Sequence, residues 1–100
     1  MSIYYVYILK CLDKKGKETL YTGSTQDLMQ RFDQHQKGRG ARYTKSKVLE
    51  LLYFETHISR SDAMKREYEI KNLPVKEKRE LIKVFNEQRQ KEKENENASI

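Results

Sequence analysis

The sequence of 100 residues has no tryptophan and only one cysteine, Cys11. A single cysteine excludes an internal disulfide bond and a zinc site built from cysteines. No segment approaches the roughly 18 consecutive apolar residues that a membrane-spanning helix needs. The first residues, Met1 to Tyr5, show neither the charged start nor the small-residue cleavage site of a secretory signal. These absences predict a cytoplasmic protein with one small domain and no membrane association.

Positive charge dominates most of the chain. The formal net charge is +6 and the pI is about 9.4. The whole chain has 21 basic and 15 acidic residues, of which segment 86–100 holds three and four. Residues 1–85 therefore have 18 basic and 11 acidic residues. This excess predicts a polyanionic partner, most simply nucleic acid, although a basic surface also serves solubility alone. We therefore predict a domain over 1–85 and a charged tail over 86–100, which frays from a helix into disorder because it has almost no apolar side chains.

Three segments are predicted to form the strands of one sheet. Residues 3–11 are aromatic and β-branched, with apolar side chains at both odd and even positions, which is typical of a central strand covered on both faces. Residues 18–23 return after a polar loop that contains Gly16. Residues 48–56 form a third strand with the same two-sided apolar pattern.

Three helices complete the predicted fold. Thr25 is expected to cap the first helix, and Ser59 or Ser61 the second, over about 60–72. Pro74 ends that helix and suits the start of the last one. The order strand, strand, helix, strand, helix, helix predicts an α/β protein, a small sandwich with a three-stranded antiparallel sheet flanked by helices.

Two tyrosines occupy matching places in the first two strands. Tyr7 ends the triplet Tyr5-Val6-Tyr7, and Tyr21 begins the triplet Tyr21-Thr22-Gly23. A hairpin can bring Tyr7 and Tyr21 within reach of each other across the sheet. The alternative is that both are ordinary strand residues, because tyrosine favours half-buried pleated surfaces.

The first helix carries a polar pair. Arg31 and His35 are four residues apart, and so lie on one face, beside the apolar stripe. They either face solvent or point towards the strand tyrosines, where they would meet a phosphate.

Glu67 stands within the apolar stripe predicted for the second helix. A carboxylate there is unfavourable unless it is paired or bound to a cation. One interpretation is an ion pair with Lys71; the other is a ligand for Mg²⁺ or Mn²⁺, which bind oxygen atoms and retain waters. The apolar residues that this helix is predicted to bury are Ala63, Met64, Tyr68 and Ile70.

The connector after the first helix is basic and contains one aromatic residue. Such a loop favours backbone phosphates, and Tyr43 would stack on an unpaired base, whereas the alternative is a solvated loop. We assign Lys71 to the same nucleic-acid-binding surface. The basic residues of the connector are Lys37, Arg39, Arg42, Lys45 and Lys47.

Taken together, these motifs resemble the GIY-YIG nuclease superfamily, most of all its small stand-alone bacterial members. The two tyrosine triplets stand where the family has G-I-Y and Y-I-G. The run GSTQDLMQRFDQHQKG over 23–38 and the run AMKREYEIK over 63–71 match the two following blocks. The resemblance covers residues 3–83; it departs where Tyr5 replaces the first glycine and Ser24 replaces a lysine found in some members.

The resemblance implies an endonuclease that hydrolyses phosphodiester bonds with one divalent cation, Mg²⁺ or Mn²⁺. Glu67 would hold the metal, and Arg31 would neutralise charge on the phosphate. Tyr21 would be the general base for the attacking water, with Tyr7 and His35 orienting it or sharing its proton. His35 is an alternative base, because the ordinary pKa of histidine is about 6.5; Tyr21 as a covalent nucleophile is a further alternative.

The expected substrate is DNA, cut with structure dependence or weak sequence specificity, and DNA repair is a process that such an activity would serve. The alternative function is a non-catalytic or poorly active nucleic-acid-binding module that acts with a partner protein. The presence of the tyrosine, arginine and glutamate set favours the nuclease, because a module that only binds has no need of Glu67.

Overall fold

The computed structural model describes residues 2–45 and 47–98, and it confirms the predicted α/β fold, a three-stranded antiparallel sheet with three helices. A short 3₁₀ turn, absent from the prediction, interrupts the basic connector. The elements are β1 (Tyr4–Leu12), β2 (Glu18–Thr25), α1 (Leu28–Gln36), the 3₁₀ turn (Arg42–Thr44), β3 (Val48–His57), α2 (Arg60–Lys71) and α3 (Val75–Ala98).

The first strand lies in the centre of the sheet, as its two-sided apolar pattern predicts. The strand order is β2-β1-β3, and both pairings are antiparallel. Tyr7 lies opposite Gly23 on one side and opposite Phe54 on the other. Because successive side chains of a strand point to opposite faces, β1 contributes to two cores.

Each face of the sheet has its own apolar cluster, so the protein has three layers. On one face, Val6 and Ile8 pack with α2 and α3, through the buried residues Ala63, Ile70 and Ile82. On the other face, the core forms against α1; its buried members are Tyr7, Leu9, Cys11 and Leu28.

The start of α1 differs from the prediction. Thr25 is the last residue of β2, and the cap is Asp27, whose carboxylate accepts a hydrogen bond from the Gln30 amide at 3.0 Å. The expected cap at Thr25 is wrong because the strand extends further than predicted. Ser59 caps α2 by accepting from the Asp62 amide at 3.1 Å, as expected.

The buried face of α2 is narrower than predicted. Ala63 and Ile70 are fully buried, but Met64 is 55% exposed and Tyr68 is 72% exposed. At about 100° per residue, Met64 and Tyr68 lie roughly 100° and 140° around the helix from Ala63. The sheet covers only one side of α2, so the expected burial of these two residues is wrong.

The last helix continues into the charged tail, for which the prediction is a helix that frays into disorder. It runs through residues 86–98, while Ser99 and Ile100 lie outside the described residues. This segment consists largely of good helix formers, and Glu87 precedes Lys91 by four residues, a favourable spacing for opposite charges. The side chains of residues 86–96 are exposed, and the domain boundary at 85 stays a prediction. In the part of the chain that the structure describes, no helix is long and apolar enough to span a membrane.

Candidate active site

A buried hydrogen bond joins the central strand to α1. The Tyr7 hydroxyl lies 2.8 Å from Nε2 of His35, and each residue is only 1% exposed. The predicted helix face therefore points His35 towards the strand tyrosines rather than towards solvent.

Two glycines leave the space that this pair occupies. A Cβ atom on Gly23 would lie 2.5 Å from the Tyr7 hydroxyl oxygen and 2.7 Å from Cζ of the same ring. A Cβ atom on Gly40 would overlap the imidazole of His35. Alanine at either position would therefore displace the Tyr7–His35 pair.

The far side of the imidazole is held by the 3₁₀ turn. His35 Nδ1 lies 2.8 Å from Thr44 Oγ1, which donates its own proton to the Ala41 carbonyl at 2.9 Å. The Ala41 amide donates to Nδ1 over the longer distance of 3.4 Å, a contact that suits a lone pair on Nδ1. Because Thr44 gives its one proton to the Ala41 carbonyl, the shorter Thr44 contact favours the tautomer with the proton on Nδ1, in which Nε2 accepts from Tyr7.

Sequence reasoning missed Gly40 and Thr44. Both lie in the connector interpreted only as a basic loop after the first helix, and neither belongs to a periodic pattern. Their contribution depends on the return of the connector over α1, for which the sequence contains no local signal.

Burial keeps both members of the pair neutral at neutral pH. It raises the pKa of Tyr7 to about 12, an effect that Arg31 opposes and that the charges of Tyr21 and Glu67 reinforce. Burial also lowers the pKa of His35, and the positive charge of Arg31 lowers it further. The neutral imidazole can accept a hydrogen bond from the neutral Tyr7 hydroxyl.

Tyr21 lies beside this pair, as the hairpin arrangement predicts. Its ring centroid is 6.4 Å from that of Tyr7 and 5.3 Å from that of His35. Tyr21 is half-buried, and within residues 2–45 and 47–98 its hydroxyl has no hydrogen-bond partner. That hydroxyl is therefore available to a substrate or a water molecule.

Arg31 supplies the positive charge of the site. It is half-buried on α1, one turn before His35, and its Nη1 donates to Gln34 Oε1 at 3.2 Å. Its charge acts on both Tyr7 and His35. A planar guanidinium in this place suits the oxygens of a phosphate.

Glu67 reaches the site from the opposite layer. Its Oε1 accepts from the Ser24 hydroxyl at 2.5 Å, and its Oε2 pairs with the Lys71 ammonium at 2.8 Å. The Glu67 side chain is 23% exposed, and it lines a polar cavity of about 390 Å³ together with Ser24, Gln26 and Arg60. The Glu67–Lys71 ion pair that the sequence allowed is thus present.

The site offers one carboxylate, which suits a metal ion whose other ligands are waters and oxygens of the substrate. Among the described residues there is no cluster of three histidine, cysteine, aspartate or glutamate side chains that could hold a metal. Mg²⁺ commonly takes one or two carboxylates and completes its shell with waters and phosphate oxygens. Glu67 can be such a single protein ligand for Mg²⁺ or Mn²⁺.

The end of β2 connects the two halves of the site. Gly23 lies against Tyr7, and the next residue, Ser24, holds Glu67. Neighbouring strand residues point to opposite faces, so this edge strand reaches both layers. The structure therefore places Tyr7, Tyr21, Arg31 and His35 together on the α1 side of the sheet. Glu67 lies on the α2 side of the same end of β2, where its charge acts on Tyr7.

Part of the basic connector borders the site. The Tyr43 ring stacks on Tyr21, with centroids 6.1 Å apart and planes 19° from parallel. Lys47 Nζ lies 3.6 Å from the Tyr43 ring centroid. The predicted stacking of Tyr43 on a base stays a prediction, since its ring already contacts Tyr21 and Lys47.

The remaining predicted nucleic-acid contacts lie on the exposed surface of the connector. Arg39, Arg42 and Lys45 are exposed and have no ion-pair partner in the described ranges. Lys37 pairs with Asp33 at 2.9 Å, and this exposed pair is open to exchange with another anion.

Comparison with known proteins identifies the family. Residues 3–80 match the family model of the GIY-YIG catalytic domain. A UPF0213 protein of Oceanobacillus iheyensis is 46% identical over 86 residues, which are 85% of this chain and 94% of the relative. A UPF0213 protein of Staphylococcus epidermidis is 43% identical over 83 residues, or 82% and 96% of the two chains. The solution NMR structure of a UPF0213 protein from Bacillus halodurans is 35% identical, with a TM-score of 0.47 and coverage of 82% of this chain and 84% of that chain. The chain therefore belongs to the GIY-YIG family of nuclease domains, which act on nucleic acid.

Proposed function

We propose that this protein is a divalent-metal-dependent endonuclease that hydrolyses phosphodiester bonds in DNA by attack of water. The observation that carries the proposal is the convergence of the Tyr7–His35 pair, Arg31 and Glu67 around the end of β2. These are the group types that hydrolysis needs: a proton acceptor, a phosphate-binding cation and a ligand for a metal ion.

The proton of the attacking water leaves through Tyr7. When the water gives a proton to the Tyr7 oxygen, the phenol passes its own proton to Nε2 of His35, 2.8 Å away. Tyr21, whose hydroxyl has no partner in the described part of the chain, orients the water. The family resemblance instead implies Tyr21 as the base. We favour Tyr7 because its proton has an acceptor in place, whereas none of the described residues accepts from the Tyr21 hydroxyl.

Arg31 and Glu67 act on the phosphate. Arg31 compensates the negative charge that grows on the phosphate oxygens during attack, and its planar fork also orients them. Glu67 would hold the metal ion, Mg²⁺ or Mn²⁺. When bound, such an ion stabilises negative charge on the phosphate and the leaving oxygen.

The basic connector holds the DNA backbone beside the reacting phosphate. Its exposed cations lie before, in and directly after the turn that supports His35, at Arg39, Arg42 and Lys45 respectively. Contacts of this kind follow backbone shape and charge rather than base identity, so we propose structure-dependent or weakly sequence-specific cutting. We place the activity in the cytoplasm, where the buried thiol of Cys11 stays reduced, with DNA repair as the process it serves.

A panel of DNA substrates separates this function from a binding module that acts with a partner protein. End-labelled single-stranded, duplex and branched DNA are incubated with the protein in Mg²⁺, in Mn²⁺ and in EDTA. Cleavage that requires the metal supports the nuclease, and the preferred substrate defines its specificity. Binding without cleavage under every condition contradicts the nuclease and supports the binding module.

A further inference from the structure

The two carboxylate oxygens of Glu67 have different partners. Ser24 donates to Oε1, and Lys71 pairs with Oε2. We infer that Ser24 is a positioning residue that fixes the carboxylate for a divalent cation, and that Lys71 is an internal cation that the metal displaces. This inference rests on the proposed function, because it takes Glu67 as the metal ligand.

Ser24 is well placed to fix the carboxylate. It lies on β2, opposite Val6 in the register, and faces the layer that contains α2. It is 43 residues from Glu67 in sequence, so its hydrogen bond ties a helix side chain to the sheet. A carboxylate oxygen retains lone pairs after accepting one hydrogen bond, so Oε1 remains able to bind a metal. Partners that orient a ligand raise metal affinity, because the ligand loses less freedom on binding.

Lys71 is a counter-cation that can be displaced. Its side chain is 48% exposed and lies one helical turn after Glu67. Exposed pairs of this spacing contribute little free energy, so their loss is easily offset by a divalent ion. The ammonium already neutralises the carboxylate through Oε2, so it opposes a second cation on Glu67, whether that ion binds Oε1 alone or both oxygens. Once displaced, the Lys71 ammonium remains near the site, where it can form an ion pair with a DNA phosphate.

The two roles predict opposite changes in metal affinity. Mg²⁺ is titrated into the full-length protein, and the backbone amide shifts of residues 24 and 67 are followed by NMR, a method that reports weak binding. We expect Ser24→Ala to weaken Mg²⁺ binding by about tenfold, and Ser24→Thr, which keeps the hydroxyl, to restore it. We expect Lys71→Met to tighten binding by about twofold or more, because it frees Oε2 and removes a repelling charge.

Matched variants on α2 control for general effects of charge and polarity. Ser61 and Lys65 are exposed residues of the same helix without a contact to Glu67, so Ser61→Ala and Lys65→Met are expected to leave the affinity unchanged. The dispersion of the amide spectrum shows that each variant is folded. Any of three results overturns the inference. These are an unchanged Mg²⁺ affinity in Ser24→Ala, an unchanged or weaker affinity in Lys71→Met, and no chemical-shift change at residues 24 and 67 of the wild type.

Cleavage measured on the same samples separates this inference from the proposed function. If the wild type binds Mg²⁺ as described and the metal affinities of the variants change in opposite directions, but the wild type cuts no DNA, the proposed function alone is contradicted. A wild type that cuts DNA, with variants whose metal requirement is unchanged, contradicts the inference alone.

Discussion

Tyr7 and His35 are 28 positions apart in sequence, yet the phenol and the imidazole share a buried hydrogen bond of 2.8 Å. The bond crosses from the central strand to α1, and a threonine of the 3₁₀ turn supports the imidazole from its other side. The proposed mechanism requires an acceptor for the proton of this buried phenol, and His35 is the group that would accept it. The proposed mechanism therefore depends on His35 as well as on Tyr7, because burial raises the pKa of the Tyr7 phenol to about 12.

Tyr7→Phe should abolish cleavage while the fold persists. The ring stays in its apolar cluster, and the loss of one buried hydrogen bond costs about 1 kcal/mol of unfolding free energy. Loss of a general acid–base path lowers the rate by about 10²–10⁴-fold. Single-turnover cleavage and urea unfolding measure the two effects. A Tyr7→Phe protein that cuts at the wild-type rate, with Tyr21→Phe inactive, would make Tyr21 the base instead.

Gly23→Ala should destabilise the protein and weaken catalysis, because its Cβ atom would lie 2.5 Å from the Tyr7 hydroxyl. Overpacking of this kind costs about 1–3 kcal/mol. The double variant Gly23→Ala with Tyr7→Phe removes the nearest clashing atom. We expect chemical denaturation to show that it recovers part of the loss relative to Gly23→Ala. Strict additivity of the two single effects would argue against the close approach.

Stability should fall on acidification below about pH 6.5, the ordinary pKa of histidine. Burial and Arg31 lower the pKa of His35 in the folded protein. In this pH range His35 therefore binds a proton in the unfolded chain but not in the folded protein. Unfolding is therefore favoured as the pH drops from the unfolded pKa to the lowered folded pKa. Denaturation curves of the wild type and His35→Gln across this window are compared. We expect a shallower dependence in the variant, and identical slopes would contradict the assignment.

The basic connector should determine much of the salt dependence of DNA binding. Replacing Arg39 and Arg42 with alanine removes two exposed cations, so the slope of log K against log salt should fall by about 1.4–1.8. Fluorescence anisotropy in EDTA measures binding without cleavage. Lys76→Ala with Lys83→Ala, two exposed changes on α3, is the matched control. An unchanged slope in the arginine variant would exclude this loop from the interface.

The central strand and the tyrosine pair were predictable because their signals are local. Apolar side chains at both odd and even positions of β1 indicated that both faces of this strand are buried, and the hairpin placed Tyr21 near Tyr7. The spacing of four between Arg31 and His35 put both on one face of α1. Which way that face pointed was not predictable, because the direction depends on how α1 packs on the sheet.

The features that sequence reasoning missed arise from tertiary packing or from competing local signals. Gly40 and Thr44 matter only because the connector folds back over His35. Asp27 and Thr25 both suit a helix cap, and the length of β2 decided between them. For segment 86–98, low apolar content led to the prediction of a helix that frays into disorder, and in the structure α3 extends to Ala98.

The most direct test of the central claim is single-turnover cleavage of end-labelled DNA in Mg²⁺ by the wild type, His35→Ala and Glu67→Ala. These residues come from the two layers on either side of the sheet, so a single active site at the end of β2 requires both. The account predicts metal-dependent cutting by the wild type and a loss of about 100-fold or more in each folded variant. Wild-type rates in either variant would contradict it, because the activity would then belong to another site or to a contaminating nuclease.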